Sequence, residues 1–133
     1  MTQHAKGTFD VKVTPLPAED GIGHASISRL NLFKQLHGEL EGTVHGQMLA
    51  TGNPNGGAAG YVAMDFVEAT LAGRSGTFAM QHVGSMGAGP MRMDIDIVPG
   101  SGAGGLAGIA GRFIITIVER KHFYALEYTL PAA

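Results

Sequence analysis

The stretch from Tyr61 to Gly84 reads as two long strands folded on each other about the segment Ala72-Gly73-Arg74-Ser75. Side chains alternate between the two faces of a strand, and residues directly opposed across an antiparallel pair share a face. A turn centred between Gly73 and Arg74 predicts Thr70 opposite Thr77, Val67 opposite Met80 and Asp65 opposite His82. Ala63, Asp65, Val67, Ala69, Phe78, Met80 and His82 then lie on one mostly apolar surface, with a carboxylate beside an imidazole.

The rest of the chain carries the same period. From His4 to Pro15, Phe9, Val11 and Val13 alternate with Thr8, Asp10, Lys12 and Thr14, as in a half-buried strand. A polar turn region, 18–23, follows. His24 to Leu36 places Leu30, Phe33, His37 and Leu40 at helical spacing and Leu30, Leu32 and Leu36 at strand spacing. A strand is favoured, because no capping residue with a following Glu marks a helix start. Gly38 to Thr51 alternates Leu40, Gly42, Val44, Gly46 and Met48 with polar residues, and its glycines leave space on the apolar side. Thr51 to Gly57 and Gly84 to Pro90 read as loops, with Met91 to Val98 as a strand having one apolar and one charged face.

The glycine-rich run 99–105 is not a phosphate loop. It lacks Gly-Lys-Ser/Thr before a helix, and the segment Ile109 to Val118 that follows it is another strand. Ser101 reads as a turn residue, with no strand-to-helix elbow to make it a nucleophile. A turn at Glu119-Arg120 sets Ile117 opposite His122, Ile115 opposite Tyr124, Phe113 opposite Leu126 and Gly111 opposite Tyr128, with Arg112 paired to Glu127 on the other face. About eight strands with regular turns and no convincing helix predict an all-β sandwich or closed barrel.

Composition narrows the function classes. A chain of 133 residues is expected to form one domain, 1–133. It has no cysteine, which excludes disulfides and thiolate chemistry. The N-terminus shows no apolar signal region and no run approaches the ~18 apolar residues of a membrane span, so a soluble, cytoplasmic protein without a membrane partner is expected. A net charge of -2 with scattered Lys and Arg gives no basic stripe for nucleic acid. With 21 glycines and only 15% charged residues, many tight turns and strands buried on more than one face are expected, with the outer surface hidden in a homo-oligomer. The six histidines show no His-x-His or His-Glu-x-x-His spacing, so no metal and no cofactor are expected.

Several runs carry a family likeness: His37-Gly38-Glu39-Leu40-Glu41-Gly42-Thr43, Tyr61-Val62-Ala63-Met64-Asp65, Gly73-Arg74-Ser75-Gly76-Thr77-Phe78, Gln81-His82, Val98-Pro99-Gly100-Ser101-Gly102, Leu106-Ala107-Gly108-Ile109-Ala110-Gly111 and His122-Phe123-Tyr124. In order and spacing they resemble the family known as domain of unknown function 3224, over nearly the whole chain. The resemblance implies an eight-stranded antiparallel barrel of the allene oxide cyclase type, related in shape to lipocalins. The resemblance implies glutamate where this chain has Asp65, threonine where it has Ala103 and a carboxylate where it has Gly105. No settled activity comes with the family. The likeness to cyclase barrels suggests a cofactor-free cyclase or isomerase that holds a small, largely apolar molecule and moves a proton. The alternative is a non-catalytic carrier or sensor of a hydrophobic metabolite, and a third class is a structural oligomer with a filled core.

The candidate catalytic residues are Asp65 and His82. A desolvated carboxylate orienting an imidazole poises a general base; the same pair also serves as a structural link between strands, or as a surface contact if it points outward. His122, Tyr124 and Tyr128 share the apolar side of the last hairpin with Phe113, either as aromatic core or as donors over a pocket. Tyr61 is expected near the barrel mouth. With Phe78, Met80 and Met93, these residues make up the expected substrate-binding lining. Glu39 and Glu41 lie on a solvated face.

Overall fold

The computed structural model describes residues 2–132. Its strands are β1 (Gln3–Pro15), β2 (Ser28–Gly38), β3 (Leu40–Asn53), β4 (Ala58–Leu71), β5 (Arg74–Met86), β6 (Arg92–Ile97), β7 (Ala103–Gly104), β8 (Ala110–Val118) and β9 (Lys121–Thr129). All pairings are antiparallel, and β4 pairs with both β3 and β5 while β1 pairs with both β2 and β9. The sheet therefore closes into an eight-stranded barrel of β1 to β6, β8 and β9, with the two-residue β7 added to the start of β5. The segment His24 to Leu36 is loop to Ile27 and strand from Ser28, and the only helical turn among the described residues is the 3-10 turn Pro54–Gly56. Closure removes the sheet edges that an open sheet would expose.

Alternation decides what fills the barrel. Inward residues of every strand pack into one core that includes Phe9, Leu36, Val44, Phe78, Phe113 and Leu126. The two long hairpins differ in how well their turns could be placed. Glu119 and Arg120 both have positive φ (51° and 70°), the backbone of a two-residue turn that matches strand twist, and the β8–β9 register is the expected one down to Gly111 opposite Tyr128. Arg112 and Glu127 form their ion pair at 3.2 Å.

In the β4–β5 hairpin the positive φ values fall on Ala72 (52°) and Gly73 (77°), one position earlier than expected. Moving the turn centre by one residue moves the register by two. Thr70 faces Ser75, Val67 faces Phe78, Asp65 faces Met80 and Ala63 faces His82. The expected direct opposition of Asp65 and His82 is therefore corrected. An even shift preserves the faces, so both side chains still point into the barrel.

The two ends of the barrel are unlike. At the end holding the β4–β5 turn, the β6–β8 connection folds inward and buries Leu106 and Ile109 completely or nearly so. Ser101 anchors this connection: its hydroxyl donates to the Val98 carbonyl at 2.7 Å and accepts from the Ala79 amide at 3.0 Å. At the other end the last inward residues, Val13 and Ile117, are 46% and 58% exposed. The long β1–β2 loop leaves that mouth open, because it folds back over the outside of the wall, where its residues share a groove with the outward side chains of β3, β4 and β5.

Candidate functional site

Below the open mouth, three buried polar side chains interrupt the apolar interior: Lys34 (4% exposed), Asp65 (1%) and His82 (6%). Lys34 sits between Leu32 and Leu36 on the inward face of β2, the position that period two assigns to an apolar residue. Its ammonium donates to Asp65 Oδ2 at 3.4 Å and lies 5.6 Å from the centre of the Phe9 ring. Asp65 thus pairs with Lys34, and the expected role of Asp65 as the direct partner of His82 gives way to an ion pair that sequence reasoning missed. The available signal was a lysine inside a leucine stripe. A buried carboxylate needs a cation or several donors to remain charged, and Lys34 is the cation within reach.

Two glycines make the arrangement possible. Gly46 stands opposite Asp65 on β3, and a Cβ there would collide with Asp65 Oδ1. Gly84 stands opposite Tyr61, and a Cβ there would collide with the Tyr61 ring. The missing side chains let the carboxylate and the phenol lie flat against the wall.

His82 is paired with Tyr61. The phenol oxygen and His82 Nε2 are 2.7 Å apart, and the rings meet edge to face with centroids 4.9 Å apart. Burial, then the nearby Lys34 ammonium, hold the His82 pKa down to about 4, against the opposing influence of Asp65. Burial, then Asp65, push the Tyr61 pKa up. At neutral pH both rings are uncharged. His82 Nδ1 and Asp65 Oδ1 are buried and have no hydrogen-bond partner among the described residues, which is uncommon for polar atoms at such depth.

The other lining candidates divide between the two ends. Tyr61, Met93 and His122 belong to the mouth; the His122 ring lies 5.0 Å from that of Phe9. Phe78, Met80, Phe113, Tyr124 and Tyr128 are part of the packed core. Tyr124 stacks on Phe113 with centroids 5.2 Å apart, and its hydroxyl accepts from the Leu40 amide at 2.9 Å and donates to the Leu40 carbonyl at 2.7 Å. Glu39 and Glu41 are exposed and cap backbone amides, Glu39 accepting from Lys6 and Glu41 from Gly38.

One ion pair and a neutral Tyr-His dyad thus lie beneath the exposed rim, and these are the kinds of group that polar recognition and proton exchange require. Among the described residues, no helix is long and apolar enough to cross a membrane. No curated protein matches the sequence. A crystal structure of a protein of unknown function from the DUF3224 family of Shewanella oneidensis MR-1 is similar over the whole fold, with TM-score 0.87, 37% identity, and coverage of 99% of this chain and 100% of that one. The family model described as a protein of unknown function, DUF3224, matches residues 5–128, with the barrel strands from within β1 to within β9 inside that span. The chain belongs to the DUF3224 family.

Proposed function

We propose that the barrel binds a small, largely apolar carbonyl compound in its open end and isomerises it without a cofactor, by passing a proton through His82 and Tyr61. The 2.7 Å contact between the Tyr61 hydroxyl and His82 Nε2, with Nδ1 left without a protein partner, carries the reading. Burial disfavours the imidazolium of His82 and the phenolate of Tyr61 alike. A relay that passes only through neutral forms avoids both.

Such a relay balances. It begins with Nδ1 bare and Nε2–H donating to the Tyr61 oxygen. Once the ligand has displaced the side chains that cover Nδ1, that nitrogen takes a proton from the carbon beside the ligand carbonyl, Nε2 passes its proton to the Tyr61 oxygen, and the phenol proton goes to the carbonyl oxygen. The ketone becomes an enol and the dyad stays neutral, in its other tautomer. Return of the proton at a different carbon completes the isomerisation, and a cyclisation that starts from the enol uses the same first step. Asp65 acts as a positioning residue through Lys34, and the barrel contributes by holding the ligand in one conformation.

The carrier reading keeps one observation in its favour. The Lys34–Asp65 pair occupies the carboxylate that would otherwise act on His82, and an ion pair beneath an apolar mouth can hold a ligand's polar head with no chemistry. The two readings separate in D2O. With 2-cyclohexenone and longer alkyl enones as probes, proton NMR is expected to show exchange beside the carbonyl, about 100-fold or more slower in His82→Gln and Tyr61→Phe. Binding at the mouth with no exchange above the His82→Gln background would leave the carrier reading in place.

A further inference from the structure

Between β6 and β8 the barrel closes on a single residue pair, Asp96 opposite Arg112. Continued toward the mouth, that register would set Asp94 opposite Ile114 and Arg92 opposite Thr116, and neither pair forms. Past the bridge, β6 pairs with β5 alone and β8 with β9 alone among the described residues. Two local features go with this parting. Gly111, next to Arg112, has φ 149°, and a glycine of that kind inside a strand marks a bend in a barrel wall. On β6, Arg92 and Asp94 turn to each other along the strand at 2.7 Å instead of reaching across to β8. The wall therefore carries a slot, shut at the Asp96–Arg112 bridge and open at the mouth.

The inward side of the slot is apolar. Met93 on β6 and Ile115 and Ile117 on β8 face it, above the buried Ile95 and Phe113. Its lower part adjoins the polar site. Gly84 has Tyr61 opposite it on one side and Met93 on the other, His82 is opposite Ile95, and the Tyr61 ring lies over Gly84.

We infer that this slot is the subsite for a linear alkyl chain on the ligand, whose carbonyl lies at the Tyr61–His82 dyad. The carbonyl position is that of the isomerase reading, on which the subsite rests. Three observations choose an alkyl chain as the occupant. The lining is aliphatic, and the unbranched thioether of Met93 adapts to a flexible chain. His82 Nδ1, buried and without a partner among the described residues, marks the polar end on the strand beside the slot. A peptide strand does not fit: inserted between two antiparallel strands it runs parallel to one of them, and β6 offers only the four residues 92–95 before the bridge shuts the slot. Along β8 the slot runs ~13 Å from Phe113 to Ile117, a length that a linear chain fills and a compact ring leaves empty.

The chain has no cysteine, so a pair of introduced thiols can close the slot selectively. Asp94→Cys with Ile114→Cys is joined by oxidation, or by a short bis-thiol linker where the sulfurs stand too far apart for a disulfide, and is compared with the same protein unjoined. Binding of 2-cyclohexenone and of a straight-chain long enone is followed by NMR. The unjoined protein is expected to bind the long enone about tenfold or more tighter than the ring, and joining is expected to remove that advantage while leaving 2-cyclohexenone binding unchanged. Equal affinity for the two enones, or a chain-length advantage that survives joining, would overturn the subsite. Hydrogen exchange gives a readout that needs no ligand. Amides of 113–118 on the β6 side are expected to exchange about 100-fold or more faster than those bonded to β9. Equal protection would mean that the two strands are zipped together, which overturns the subsite and leaves the isomerase reading standing. A chain-length advantage that joining abolishes, with no proton exchange in D2O, would instead overturn the isomerase reading and keep the subsite. Binding of neither enone would overturn both.

Discussion

Of the three tyrosines that point into this barrel, two are laid over a glycine of the neighbouring strand, Tyr124 over Gly7 and Tyr61 over Gly84. Their hydroxyls end in different company. Tyr124 bonds to the backbone of Leu40 at the closed end, where the polypeptide supplies both a donor and an acceptor. Tyr61 bonds to a titratable ring near the open end. The first contact ties the β2–β3 corner to β9, and the second leaves a proton that can move. One fold thus uses the same residue as a structural anchor where the barrel is plugged and as a chemical group where it is open.

The contrast is sharpest in the cores beneath each end. Phe78→Ala, in the fully buried closed half, is expected to cost about 3–5 kcal/mol, whereas Ile117→Ala at the exposed rim is expected to cost less than about 0.5 kcal/mol. Urea unfolding of both variants measures the difference, and equal losses would mean that the mouth is packed shut. Lys34→Met is expected to cost a similar ~3–5 kcal/mol by stranding the Asp65 carboxylate. Lys34→Met with Asp65→Leu is expected to recover most of that loss. A single Lys34→Met that unfolds like the parent would show that the ion pair is solvated.

The tyrosines give a smaller and more direct comparison. Tyr124→Phe leaves the Leu40 amide and carbonyl unpaired in a buried place and is expected to cost about 1–3 kcal/mol. Tyr61→Phe is expected to cost no more than about 1 kcal/mol while slowing proton exchange on a bound ketone. A reversed order of stability losses would move the structural anchor to the open end.

A more gradual effect is expected on the pH dependence of folding. His82 has a folded pKa of about 4 against an ordinary value of 6.5, so the unfolded chain binds its proton first. Its contribution is fully present above pH 6.5 and is lost as pH falls toward 4, at no more than about 1.4 kcal/mol per pH unit. Stability measured between these pH values is expected to fall less steeply in His82→Gln. An identical slope in the two proteins would mean that His82 titrates alike folded and unfolded.

The sequence made the barrel legible because period two runs through almost every segment and the family likeness spans nearly the whole chain. It located Glu119-Arg120 as a turn, and the last hairpin followed residue for residue. The first hairpin escaped by one position, since Ala72 adopts a positive φ that glycine or asparagine more often takes and so drew the turn away from Gly73-Arg74. Inward facing survived that shift, but the identity of neighbours did not. Lys34 is hidden in the sequence because a strand pattern with leucines at 30, 32 and 36 looks complete without the residue at 34. Its pairing with Asp65 depends on three strands curving round the barrel, and local alternation carries no information about closure.

The most direct measurement is a pH titration of the His82 ring by nitrogen-detected NMR, in the parent protein and in Tyr61→Phe. The account predicts a neutral ring down to about pH 4, with a tautomer balance that changes when the phenol is removed. A His82 ring that gains its proton near pH 6.5, with the same tautomer balance in both proteins, would contradict a buried neutral dyad and with it the proton relay.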